Sequence, residues 1–168
     1  MPSQSDLTTR LAQIDWSRFF TVYGAAINVP EQIERLNSTD EKTALSGIRD
    51  LWAGLCHQEV QVSSAALPAL PFILECLPAS SEKVTAEILD ILVGFAITTD
   101  PVRAEQYDRA LGRVPEPQFL WVLELRAKLR KQLPRIAAFT THKNPDIAEF
   151  ANRFVREFNS TSGWEGES

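Results

Sequence analysis

The sequence predicts an all-α protein, and three observations carry that prediction. Apolar residues recur at three- and four-residue spacing through most of the chain, strand-like alternation is nearly absent, and prolines follow capping residues where segments begin. With 168 residues, 44% of them hydrophobic, the chain suits one domain able to bury its own core.

Taken in order, Leu7, Leu11 and Ile14 mark a short amphipathic helix. Asp15-Trp16 then opens a turn that carries Phe19, Phe20 and Tyr23, an aromatic segment suited to capping the open end of a helix stack. Val29-Pro30-Glu31 starts a helix on a proline, with Ile33 and Leu36 pointing inward. Ser38 and Glu41 stand at capping-box spacing, and Leu45, Ile48, Trp52 and Leu55 behind them share a face that needs burial. Gln58 to Gln61 is a short link to the next stripe, Val62, Ala66, Ala69, Ile73 and Leu77, so the two segments are expected as antiparallel neighbours. Pro68 and Pro71 predict a kink or restart near Leu70, because each removes a donor and crowds the preceding turn.

A helix from about Ser81 to Thr98 follows, with Val84, Ile88, Ile91 and Phe95 as its buried row. Asp100-Pro101 caps a more polar helix running to about Gly112, anchored by Tyr107, Ala110 and Leu111. Val114-Pro115-Glu116-Pro117 is a stiff break. Phe119, Val122, Leu125, Leu129 and Leu133 resume helical spacing, Pro134 interrupts it, and Ile136 to Phe139 continue an apolar patch. Asn144-Pro145 starts a last helix whose stripe is Ile147, Phe150, Ala151, Phe154 and Phe158. The expected organisation is a single helical domain over 1–159, with about 1–37 as its aromatic capping segment and 160–168 as a patternless tail carrying Trp164.

Charge and targeting signals narrow the function. The net charge of −5 argues against general nucleic-acid binding, which relies on cations that displace counterions from phosphate. Acids dominate the first hundred residues, whereas Arg126, Lys128, Arg130, Lys131 and Arg135 form a later basic cluster. The first residues show no basic patch with an apolar run behind it, and Ile88 to Ile97 is about half the ~20 residues a bilayer span requires. The expectation is a cytoplasmic protein that does not enter membranes. Cys56 and Cys76 lie on apolar stretches and read as buried thiols; with His57 they offer three ligands where zinc takes four, so no metal and no cofactor is expected.

Successive hairpins of helices joined by short polar turns are similar to HEAT and armadillo repeats, with about forty residues per unit. More specifically, Asp15-Trp16, Tyr23-Gly24, Val29-Pro30, Leu51-Trp52, Cys56-His57-Gln58 and the run Ala65 to Leu74 resemble a group of bacterial HEAT-like proteins over roughly residues 15 to 77. Glu59 stands where that group carries a glycine, and Asn144-Pro145-Asp146 leading into Ala151 and Phe154 is what remains of a terminal repeat. The resemblance implies an α-α superhelix of antiparallel helix pairs and little about activity, since a fold does not fix a function.

Candidate chemistry is sparse. His57 titrates in a useful range but ends an apolar helix, where an imidazole can simply bond a terminal carbonyl, and His142 sits in a polar turn. Seven glycines are dispersed singly, with no phosphate loop, HExxH or paired CxxC. The leading expectation is therefore a non-enzymatic module that binds a protein partner. Asp40, Glu41, Asp50, Glu82, Glu87 and Asp90 would form an acidic helical surface steering a basic toxin or effector, as an immunity or adaptor protein does. The alternative is a nucleic-acid-binding protein, similar to HEAT-like alkylpurine DNA glycosylases, with Trp121 as a stacking platform beside Arg126, Arg130, Lys131 and Arg135. Against it stands a solvated helix face on which Glu124 and Lys128 pair at i,i+4.

Overall fold

A computed structural model of the chain describes residues 3–57, 59 and 61–159. Gln58, Trp164 and the rest of the expected tail lie outside the described residues. Nine α-helices occur among those described, and strand is confined to two hairpins of two-residue strands, so the all-α prediction holds.

The N-terminal elements are pinned by local chemistry. Helix α1 (Gln4–Ala12) is capped by Ser3, whose hydroxyl accepts from the Asp6 amide, and it buries Leu7 and Leu11. Trp16 sits in a single 3-10 turn, buried, and its indole donates to the Leu11 carbonyl at 2.9 Å. Strands β1 (Phe20–Thr21) and β2 (Gly24–Ala25) pair with Phe20 opposite Ala25. Helix α2 (Val29–Leu36) buries Val29, Ile33 and Leu36, as its spacing predicts. Helix α3 (Glu41–Leu55) crosses it so closely that a Cβ on Gly47 would lie 2.6 Å from the Gln32 carbonyl oxygen and the Leu36 nitrogen.

Two local predictions need correction here. The α3 cap is Asp40, not Ser38: the Asp40 carboxylate accepts from the Thr43 amide at 2.9 Å, while the Ser38 hydroxyl accepts from the Asp40 amide. The buried seam of α3 is Ala44, Gly47, Ile48, Leu51 and Leu55, with Leu45 and Trp52 half-buried at its margin.

Strands β3 (Cys56–His57) and β4 (Gln61–Val62) form the link to α4 (Ala66–Glu75). Helix α4 is continuous through Leu70. Pro68 falls in its first turn, where its missing amide proton has no helical acceptor to lose, so only Pro71 interrupts the ladder.

The core centres on α5 (Glu82–Thr98), capped by Ser81 and burying eleven residues, the predicted row of Val84, Ile88, Ile91 and Phe95 among them. It packs against α3 and α9 and also reaches α7. Gly94 lets Cys56 approach, since a Cβ there would stand 2.7 Å from the Cys56 sulfur. No described helix is long and apolar enough to cross a membrane.

The following helix departs from expectation. Helix α6 (Pro101–Ala110) begins at the predicted Asp100 cap but buries no residue; Tyr107, Ala110 and Leu111 are exposed and anchor nothing. Its tie to the rest is polar: Arg103 forms a bidentate pair with Glu157, at 2.8 Å for the shortest contact. After the proline-rich break, α7 (Leu120–Arg130) buries Val122, Leu125, Arg126 and Leu129, and α8 (Leu133–Ala137) buries Ile136. Phe119, expected in the buried row, is exposed. Helix α9 (Pro145–Asn159) buries Ile147, Ala151, Phe154 and Phe158, with Phe150 half-buried.

Candidate interaction site

The two hairpins lie together at the end of α3, and main-chain hydrogen bonds hold them there. The Val22 amide donates to the Gly54 carbonyl at 3.0 Å, and the Ala65 amide to the Phe20 carbonyl at 3.1 Å. In return the Phe20 amide donates to the Ser64 hydroxyl at 2.9 Å, and the Ser63 amide to the Leu55 carbonyl at 2.9 Å. Thr21 rests against Gly54, at a spacing that would leave an added Cβ 3.5 Å from the Thr21 Cβ, an ordinary van der Waals contact. Gly24 takes a φ of +118°, a conformation that favours glycine, and closes the β1–β2 turn after Tyr23.

This backbone is fixed, but its side chains face water. Phe20 is 60% exposed, Tyr23 76% and Ile27 67%, and Val22 is exposed beside them. The aromatic segment expected to cap a stack therefore splits: Trp16 is buried, Phe19 is half-buried, and Phe20 and Tyr23 point away. Alternation along an extended segment is the cause, since Phe19 and Phe20 must leave opposite faces. His57, exposed in β3 opposite Gln61, belongs to the same end of the molecule. Glu59 in the β3–β4 turn has a φ of +55°, a left-handed value at the position where the resemblance implies glycine.

The six predicted acids occupy α3, its cap and α5, and most are engaged within the fold. Asp50 bonds Arg35 at 2.6 Å, Glu87 lies 3.6 Å from Arg49, and Glu82 takes Asn144 at 3.1 Å with Lys143 at 3.7 Å. Glu41 accepts from Ser81 and pairs with Lys83 at 3.6 Å. Hydrogen bonds from Thr43 hold the Asp40 carboxyl below its ordinary range; those from Ser81 and Asn144 do the same for Glu41 and Glu82. Asp90 is the exception. Burial, then the nearby charges of Glu59 and Glu87, push it up to about 6, against the pull of Arg153.

The basic segment does not form one surface. Arg126 is only 8% exposed; its Nη1 donates to the Ala96 carbonyl at 2.8 Å and its guanidinium lies 4.7 Å from the Phe158 ring centre. Burial lowers its pKa from the ordinary value. Arg135 turns to the Leu74 and Leu77 carbonyls at the end of α4. Arg130 is exposed and its guanidinium lies 5.3 Å from the centre of the same Phe158 ring, and Lys131 is exposed at the α7 terminus. Trp121 is half-buried and stacks on Phe119 at 6.4 Å. The i,i+4 pair of Lys128 and Glu124 is present at 3.6 Å.

Neither cysteine is poised for chemistry. Burial pushes the Cys56 thiol up to about 12 and the Cys76 thiol up to about 11. His142 serves its own turn, its Nδ1 accepting from the Asn144 amide at 3.0 Å. Comparison with known protein families, curated proteins and solved structures returns no match for the chain.

Proposed function

We propose that the chain is a non-enzymatic, HEAT-like helical module that binds a protein partner, of the immunity or adaptor kind, and that the two-hairpin face is its contact surface. The observation that carries this reading is the pairing of a rigid backbone with outward Phe20, Tyr23 and Ile27. Ordered aromatic side chains presented without conformational cost are the usual anchors of protein interfaces. The residues that carry the HEAT-like resemblance also converge here: Tyr23-Gly24 forms the first turn and Cys56-His57 the first strand of the second hairpin. A superhelical stacking of the α2/α3 and later pairs belongs to the same proposal. The net charge of −5 favours a basic partner by long-range steering, although the six acids contribute less than their number because most already have partners.

A photo-crosslinking side chain at position 23, with the captured protein identified by mass spectrometry, tests the assignment. One basic protein is expected from extract of the native cell, lost when Phe20 and Ile27 are both changed to serine while the melting temperature holds. Capture that survives those changes overturns the hairpin face. Salt-sensitive retention on DNA that disappears in an Arg130→Glu, Lys131→Glu variant would instead establish the nucleic-acid reading.

A further inference from the structure

Helix α7 has two opposite faces. Val122, Leu125, Arg126 and Leu129 are buried in the core, whereas Leu120, Leu123, Ala127 and the following Lys131, at spacings of three, four and four, run along the side turned to water. The outward stripe begins on bare apolar surface: Leu120 is 83% exposed, and Phe119 just ahead of it is 73% exposed. Phe119 is nevertheless fixed, because its ring stacks on the half-buried Trp121 with 6.4 Å between centres and 11° between planes. Apolar side chains in a row at helical spacing, ending on a small residue such as Ala127, form a surface on which another helix can pack closely.

Charge decides which helix fits. Glu116, exposed ahead of α7, and Lys131, exposed after its last residue, form no ion pair and no side-chain hydrogen bond among the described residues. Between them, Glu124 and Lys128 satisfy each other at 3.6 Å. Arg113, the other charge ahead of the helix, belongs to the end of α6, where its amide donates to the Asp108 carbonyl at 2.8 Å. A spare acid at one end and a spare cation at the other complement the same stripe running in the opposite direction, an arrangement the helix dipoles also favour. Glu116 and Lys131 are equidistant in sequence from the point between Leu123 and Glu124, and so are Leu120 and Ala127. A two-fold axis there sets each Leu120 against the partner's Ala127, large against small, and each Glu116 toward the partner's Lys131.

We propose that the outward stripe of α7 is a homodimer interface, covered by the α7 of a second copy of this chain in antiparallel register about Leu123. This is separate from the two-hairpin face and stands whether or not that face binds a partner. The contact is the same patch on both copies, so it closes on itself and stops at two. From Leu120 to Lys131 the stripe is ~16 Å long at the helical rise. An interface of that length buries less than the ~1,200 Å² of standard stable complexes, so the dimer is reversible and depends on concentration.

Sedimentation velocity of the full chain at low salt, from micromolar to millimolar concentration, tests this. The mass is expected to climb from one protomer to two and no further. Leu120→Ser combined with Leu123→Ser should leave a monomer throughout, with the melting temperature of the dilute wild type unchanged. Glu116→Lys and Lys131→Glu, each alone, should weaken dimerisation about tenfold, because each sets like charges together at both ends of the interface. An equimolar mixture of the two should recover it, since every such contact is again between opposite charges. Three results overturn the proposal: a monomer at the highest concentration, dimerisation indifferent to the two serines, or a mixture that associates no better than either charge variant alone.

Discussion

Helices α5 and α6 are separated by only Thr99 and Asp100, yet they meet their surroundings in opposite ways. Eleven of the seventeen α5 residues are buried against α3, α7 and α9, whereas α6 buries none of its ten. Thr99 is itself buried and takes Arg126, and Asp100 is buried while its carboxylate caps α6. The junction is thus rigid and α6 is held at its first turn, with Arg103 clamped on Glu157 as its further tie. Stability is concentrated in the α3–α5–α9 layer, and the periphery, made of α6, the start of α7 and the two hairpins, holds apolar side chains that the fold does not use.

The sharpest way to break this contrast is truncation on each side of the junction. Phe95→Ala should destabilise the protein by about 3–5 kcal/mol, the cost of deleting a fully buried aromatic ring. Tyr107→Ala should change stability by less than about 0.5 kcal/mol, as for an exposed site without special contacts. Urea denaturation reads both, and comparable losses would place α6 inside the cooperative core. A smaller but still large effect is expected where α2 crosses α3. Gly47→Ala should lower stability by about 2–3 kcal/mol, because the added Cβ meets main-chain atoms of Gln32 and Leu36 that cannot rotate aside.

Asp90 sharpens the contrast through pH. Its pKa of about 6 lies above the ordinary 3.8, so the folded protein binds this proton more tightly than the unfolded chain does. The penalty for ionising it is absent well below the ordinary value, grows as pH rises toward 6 and is complete above 6. Asp90→Asn should accordingly be more stable than wild type at pH 7.5, with the gap closing as pH falls toward 4. Denaturation at the two pH values measures this, and a constant gap would show that Asp90 is solvated like the acids at the surface. A small gain is expected in the β3–β4 turn: Glu59→Gly should raise stability by about 0.5–1 kcal/mol, relief of the left-handed backbone exceeding the added freedom of the unfolded chain.

How much of this was legible depended on whether the signal was periodic. Helices α2, α5 and α9 were readable because burial on a helix leaves a three-to-four spacing, and the rows through Ile33, Ile88 and Phe154 are buried as read. The same rule misassigned α6, since Tyr107 and Leu111 have the spacing of anchors but no neighbouring element to cover them. Apolar spacing states what a face resembles, and only the neighbours decide whether it is buried. Two-residue strands are too short to alternate detectably, so the hairpins were invisible as strands, although Tyr23-Gly24 marked the first turn. Arg126 reads as one of a row of cations. Its burial follows from the tertiary placement of the Ala96 carbonyl and Phe158, thirty or more residues away in the chain.

Native-state hydrogen exchange tests the central division most directly. The amides from Ile88 to Ala96 should exchange only through global unfolding, while those from Ala104 to Ala110 should exchange orders of magnitude faster through local opening that leaves the core intact. Equal protection in the two helices would contradict the account, because it would make α6 part of the structure that holds the protein together.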